Sequence, residues 1–301
     1  MLRNTFIHLP GIGPRRERGL WERGILDWDR FLAAETAGES LPRALRSQTD
    51  LVRQSVEALC AGDATFFGAR LPGAETWRLY PDFAQRALFL DIETTGLSAA
   101  WDQVTVIGTY SDAGPKLFVQ GANLDEFPAY VAQFPLLVTF NGSQFDVPFL
   151  RAHFPHARLD QAHIDLRFVL ASLGFRGGLK VVEKRLGVDR PSAVHDVDGF
   201  EAVWLWHRYR RGDRGALERL LLYNLADVVN MVRLVEIGVE HKLRATAFPQ
   251  AAQPPSAVRA IPGPEELDAW AGRYVAALGR ASSGWPGAFS ICEPRVMPLR
   301  G

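Results

Sequence analysis

The sequence is short of cysteine, lysine and net charge, and each shortage excludes something. Two cysteines, Cys60 and Cys292, occur in 301 residues. No metal-ligand spacing links them, which argues against a disulfide scaffold and a zinc finger. No run of 18 apolar residues occurs, so no membrane partner is expected. The opening MLRNTFIHLPGIGPRRERG lacks the unbroken apolar stretch of a secretory signal, and the expected location is the reducing cytoplasm. The 34 basic side chains match the 34 acidic ones. That balance excludes a uniformly basic nucleic-acid coat and an acidic tail protein, but not a local basic groove. Lysine supplies only four of the basic residues (Lys116, Lys180, Lys184 and Lys242) and arginine the other 30. Arginine suits phosphate, although GC-rich codon usage gives the same excess together with Ala, Gly and Pro. What is present is an ordinary globular composition, 47% hydrophobic and 23% charged, long enough for two domains or one with appendages. The oligomeric state is not legible.

Composition shifts divide the chain into three. Residues 1–72 read as short helices broken by Gly and Pro. Residues 85–240 alternate strand and helix patterns, and 241–301 hold a Pro-rich linker, one amphipathic helix over 264–279 and a Pro/Gly tail. RALFLDIETTGL, QVTVIGTYS and PKLFVQ are three leading strand patterns, and LLVTF (136–140) a fourth, stopped by Asn141-Gly142. Helices are expected over 123–134, with Asn123 as cap, near 146–153, 165–173, 180–186 and 200–210, and over 215–239 from an Asp213 cap. Leading strands followed by alternation point to a mixed α/β sheet.

Three short motifs carry possible chemistry. Asp91-Ile92-Glu93 ends a buried strand, where i and i+2 share a face, and two such acids suit a hard divalent cation or a solvated strand end. Asn141-Gly142-Ser143-Gln144-Phe145-Asp146 follows the LLVTF strand and also reads as a turn with Asp146 capping a helix. Tyr223 and Asp227 stand four apart on one face of the long helix. In this order, DIETTG, NGSQFD and YNLAD resemble the three exonuclease motifs of the DEDD superfamily of 3′–5′ exonucleases. Leu222 stands where the histidine subtype needs His, and Tyr223 stands where the tyrosine subtype needs Tyr. HLPGIGPRRERGLWERGILDWDRFL and DGFEAVWLWHRYRRGDRGALERLLLYNLADVVNM are similar to the bacterial YprB-like proteins of the ribonuclease H-like group.

The resemblance implies a ribonuclease H-like fold, a mixed five-stranded sheet flanked by helices with a small all-helical N-terminal region. It implies a metal-dependent 3′–5′ exonuclease that hydrolyses single-stranded nucleic acid, DNA or RNA, to 5′-mononucleotides. By position, Asp91 would bridge two divalent ions, Mg²⁺ or Mn²⁺. Glu93 and Asp227 would hold the ion that activates water, Asp146 the second, and Tyr223 would orient the water. Thr94, Thr95, Gly96 and Asn141 would line the terminal nucleotide. Leu97 and Phe145 either meet its base or pack in the core.

Two basic stretches lie outside the acidic motifs. Leu9 to Arg16 resembles the hairpin of a helix-hairpin-helix element, in which Gly11 and Gly13 would bring backbone to a phosphate beside Arg15 and Arg16. The same letters suit a helical cap packed by Trp21 and Trp28. Trp206 to Arg211 interleaves aromatics with Arg, as a single-strand surface or an amphipathic helix would. Divided along the chain, residues 85–150 carry 2 basic and 7 acidic groups and residues 151–219 carry 13 and 9. Two other functions remain open: a nucleic-acid-binding module with a vestigial nuclease site, and a structure-specific endonuclease.

Overall fold

The computed structural model describes residues 1–38, 47–246, 248 and 260–281. Most of the Pro-rich linker and the Pro/Gly tail with Cys292 lie outside the described residues. Five strands form one sheet: β1 (Ala87–Thr94), β2 (Val104–Ser111), β3 (Gly114–Val119), β4 (Leu136–Thr139) and β5 (Ala162–Asp165), in the order β3-β2-β1-β4-β5. β2 is antiparallel to β1 and β3, while β4 is parallel to β1 and β5. This is the expected ribonuclease H-like arrangement, reached with a fifth strand, AHID, too short to announce itself by alternation.

The helices are α1 (Pro14–Trp21), α2 (Trp28–Thr36), α3 (Thr49–Ala61), α4 (Ala64–Gly68) and α5 (Tyr80–Phe83) before the sheet. Within and after it come α6 (Phe127–Val131), α7 (Asp146–His153), α8 (Leu166–Ser172), α9 (Leu179–Leu186), α10 (Gly199–Arg210), α11 (Arg214–Thr246) and α12 (Pro264–Ala281). Asp213 caps α11, its Oδ1 accepting from Ala216 N–H at 3.1 Å. The helix expected over 123–134 is shorter. Asn123 does not cap it: its side chain accepts from Val119 N–H and donates to the Leu117 carbonyl, closing the end of β3.

β1 is central and buried on both faces, so its side chains separate two apolar layers. Leu88, Leu90 and Ile92 point into one, with Phe127, Phe149 and Leu150. Ala87 and Phe89 point into the other, which contains α11. That second core runs without a break into the N-terminal region, through Leu2, Phe6, Trp28, Phe67 and Trp77. Trp21 and Trp28 do pack this helical cap. Trp28 stacks on Phe67 with centroids 5.8 Å apart and donates to the Thr5 carbonyl. A buried ion pair clamps the same junction: Arg78 grips both Glu17 oxygens at 2.8 and 2.9 Å, and Glu17 also accepts from the N–H groups of Phe6 and Ile7. At the opposite end, α12 packs on α11. The Tyr274 hydroxyl accepts from Leu117 N–H and lies 3.2 Å from the Pro115 carbonyl, covering the β3 edge.

Candidate metal centre

Strand alternation decides where the acids point. Asp91 and Glu93 are in phase with Phe89 and so face α11, as i and i+2 require. A register irregularity between Glu93 and Thr94 ends the regular pairing with β2 at this point. α11 crosses β1 and β2 and lowers Asp227 onto the pair. Ligand oxygens of Asp91, Glu93 and Asp227 lie within 4.8 Å of one another. Asp146 joins from α7. It opens the helix instead of capping it, and its Oδ1 accepts from Ile92 N–H at 3.1 Å, between the two strand acids.

Glu93, Asp146 and Asp227 are buried and Asp91 is half-buried. Burial and then the neighbouring carboxylates hold Asp91 and Glu93 well above the usual carboxylate range. Burial lifts Asp146 to about 7, against the N–H groups it accepts from. It lifts Asp227 to about 6, even beside Arg190. A cluster of buried carboxylates with oxygen-only donors suits a hard divalent ion. The residues fit a divalent metal ion.

Tyr223, buried one turn before Asp227, has the Lys180 ammonium 5.1 Å and the Arg190 guanidinium 5.7 Å from its ring centroid. Burial, then the charges of Asp227, Glu93 and Asp91, hold its phenol protonated. Arg190 is the resident cation. It ion-pairs with Asp227 and is gripped by Glu183 at 2.5 and 2.8 Å, while Asn230 donates to Glu183 at 3.0 Å. Its Nη1 is buried without a hydrogen-bond partner among the described residues. No local pattern in the sequence marks Arg190, which sits in a loop 37 positions before Asp227.

Three more participants escaped the sequence reading. Asn224, inside the YNLAD motif, donates to Asp91 Oδ2 at 2.8 Å and to Glu93 Oε1 at 3.4 Å. Gly108 pairs with Asp91 across the sheet, and a Cβ there would fall on the Asn224 amide. Asp165 at the end of β5 braces the NGSQFD turn, accepting from Asn141 N–H, Ser143 N–H and the Ser143 hydroxyl. Asn141 itself stands at φ 69°, with its side-chain oxygen bonded to Arg167.

Of the other expected contacts, Thr94 is buried and donates to the Gly96 carbonyl, and Thr95 bonds Asp102. Leu97 is 87% exposed and is no core residue. Phe145 is half-buried against Phe149. Gly11 and Gly13 lie in the turn before α1, Arg15 and Arg16 in its first turn, and Arg16 bonds the Gly11 carbonyl. Only a three-residue turn, Leu2–Asn4, precedes that hairpin. In α10, Trp206 is in the core and Arg208 pairs with Asp213, so the 206–211 run has one apolar side and one exposed basic side.

The RNase_H superfamily (RNase_H_2) matches residues 88–238, half of the chain. The chain belongs to the RNase_H superfamily. The superfamily span runs from β1 into α11, so it holds all five strands and every one of Asp91, Glu93, Asp146, Tyr223 and Asp227. Comparison with curated proteins finds no match. Among solved structures, the family B DNA polymerase of Pyrobaculum calidifontis is 18% identical over 53% of this chain, with a TM-score of 0.42. The chain spans 24% of that polymerase. Brucella melitensis NrnC bound to pGG is 16% identical over 70% of this chain and 92% of its own, with a TM-score of 0.39.

Proposed function

We propose that this chain is a metal-dependent 3′–5′ exonuclease of the tyrosine subtype, acting on single-stranded DNA or RNA and releasing 5′-mononucleotides. What carries the proposal is the convergence of Asp91, Glu93 and Asp227 within 4.8 Å, one helical turn from Tyr223. When bound, two divalent ions, Mg²⁺ or Mn²⁺, supply positive charge to the cluster, lower the pKa of an attacking water and stabilise the departing 3′-oxygen. Asp91, Glu93, Asp227 and Asp146 would hold these ions, Glu93 and Asp227 the one that activates water and Asp146 the second, directly or through water. Asn224 keeps the Asp91 carboxylate turned toward the cluster. Tyr223, its proton retained, donates a hydrogen bond and orients the attacking water. Thr94, Thr95, Gly96, Leu97, Asn141 and Phe145 line the terminal nucleotide. The hairpin at Gly11, Gly13, Arg15 and Arg16 takes a phosphate further along the strand. The exposed free thiol of Cys60 suits a cytoplasmic setting.

The Arg190–Asp227 ion pair favours a second reading, a nucleic-acid-binding module whose nuclease site is silent. One assay separates the two: 5′-labelled single-stranded DNA and RNA with Mg²⁺ or Mn²⁺, beside Asp227→Ala. A ladder shortening from the 3′ end and absent in the variant is the expected result. Retained binding without cleavage supports the silent module, and a discrete internal cut indicates an endonuclease.

A further inference from the structure

The loop that leaves β1 is closed by internal hydrogen bonds, yet it presents large apolar side chains to solvent. Asp102 builds it: its carboxylate accepts from Ser98 N–H at 2.9 Å and from the Thr95 hydroxyl at 3.2 Å. Thr95 and Gln103 close the base of the loop through Thr95 N–H to the Gln103 carbonyl and Gln103 N–H to the Thr95 hydroxyl, both at 2.9 Å. Trp101 and Asp102 turn back on the Ser98 carbonyl. A side chain at Gly96 would collide with the Asp102 carboxylate, so the turn is packed as well as bonded. From this frame Leu97 and Trp101 project 87% and 89% exposed, more than any other large apolar side chain among the described residues. Phe200, the next, is 75% exposed. An isolated exposed apolar residue needs no explanation. Two on one internally bonded loop, beginning two residues after Glu93, do.

Charge says what the loop is for. Residues 95–103 hold one acid, Asp102, and no basic residue, and the loop leaves the strand of Asp91 and Glu93, so it offers a phosphate no cation of its own. Attraction for a strand end here must come from bound cations and from the faces of the bases. Base stacking on an aromatic ring is indifferent to that acidity and to sequence. The backbone hydrogen bonds of the loop fix the point from which the ring projects, so only its side-chain torsions are ordered on binding. We propose that Trp101, presented by the Asp102-braced loop, is a stacking platform for a base at the 3′ end of the single strand, with Leu97 bordering it. This rests on the exonuclease reading and adds a residue that the motifs do not contain.

The test uses the full chain and fluorescein-labelled oligo(dT) and oligo(U), with anisotropy read in Ca²⁺ at fixed ionic strength and each sample checked for intact oligonucleotide. Trp101→Ala is expected to weaken binding by roughly 5- to 150-fold, the range for one lost base stack. Trp101→Phe is expected to stay within about threefold of wild type, since a ring remains. An oligonucleotide with abasic 3′-terminal sugars should bind wild type more weakly than the intact strand and bind Trp101→Ala no more weakly than the intact strand does. Unchanged affinity in Trp101→Ala, abasic discrimination that survives in it, or a wild-type chain that binds neither oligonucleotide overturns the proposal. So does a wild-type dimer that Trp101→Ala dissociates in sedimentation velocity, because the ring is then a contact between copies. Failure of the exonuclease reading looks different: no cleavage with Mg²⁺ or Mn²⁺ while Trp101-dependent binding persists.

Discussion

Asn224 donates its side-chain amide to Asp91 Oδ2 at 2.8 Å, joining α11 to β1 at the centre of the acidic cluster. The approach depends on Gly108, which gives the amide the space a Cβ would take. Gly108→Ala is therefore expected to displace Asn224 and tilt α11 off the sheet. Overpacking of this kind costs about 1–3 kcal/mol, and nuclease activity should fall more than tenfold, since Asp227 rides on the same helix. Denaturant melts and the labelled-strand assay check both. Wild-type activity in Gly108→Ala would show that the amide contact is dispensable.

Burial beside other carboxylates makes ionising these acids costly when no divalent ion is bound. Glu93→Gln is expected to raise the melting temperature in EDTA by roughly 2–4 °C, the shift for about 1 kcal/mol in a chain of this size, while abolishing cleavage. Differential scanning calorimetry beside the activity assay tests the opposed signs.

Stability should depend on pH through the same groups. Unfolded carboxylates titrate near about 4, whereas Asp227 is pushed up to about 6 and Asp146 to about 7. Between those limits the folded chain binds more protons than the unfolded chain, so its stability falls as pH rises. Their protonation supports the metal-free fold below about pH 4, and that support is lost as pH rises through about 7. Melting temperatures in EDTA should drop from pH 5 to pH 8, and saturating Mg²⁺ should flatten the drop, since cation binding favours the ionised acids.

Arg190 is buried between Glu183 and Asp227. Arg190→Gln leaves both acids without their cation, a change that costs about 3–5 kcal/mol when one member of a buried pair is removed. Arg190→Lys should rescue only part of it, because an ammonium cannot span Glu183 as the guanidinium does. Urea midpoints for the two variants give the comparison.

Glu17 and Arg78 clamp the N-terminal helices to the segment that feeds β1. Glu17→Gln should destabilise the protein by about 3–5 kcal/mol and lower the unfolding midpoint of the sheet together with that of the helices. Two separate transitions in the variant would show that the continuous apolar core does not couple them.

Local pattern marked most of the elements, and the resemblance of DIETTG, NGSQFD and YNLAD to the exonuclease motifs singled out the acids. The two-residue period of the strand that ends RALFLDIETTGL's apolar run sets Asp91 and Glu93 on one face, and the i, i+4 spacing sets Tyr223 above Asp227 on a helix, because both periods are properties of the backbone. The run near 146–153 became α7 with Asp146 at its start. Tertiary structure decided the rest. β5 is four residues long, and its Asp165 acts through backbone groups 22 and 24 positions away. Asn123 was drawn from capping a helix to closing a strand by two bonds to β3. Arg190, Gly108 and the Glu17–Arg78 clamp depend on which surfaces meet, and nothing within a window of their own neighbours encodes it. The exposure of Leu97 and Trp101 was of the same kind. An apolar residue in a loop reads alike whether it packs inward or faces water, and only the closed Asp102 loop turned these two outward.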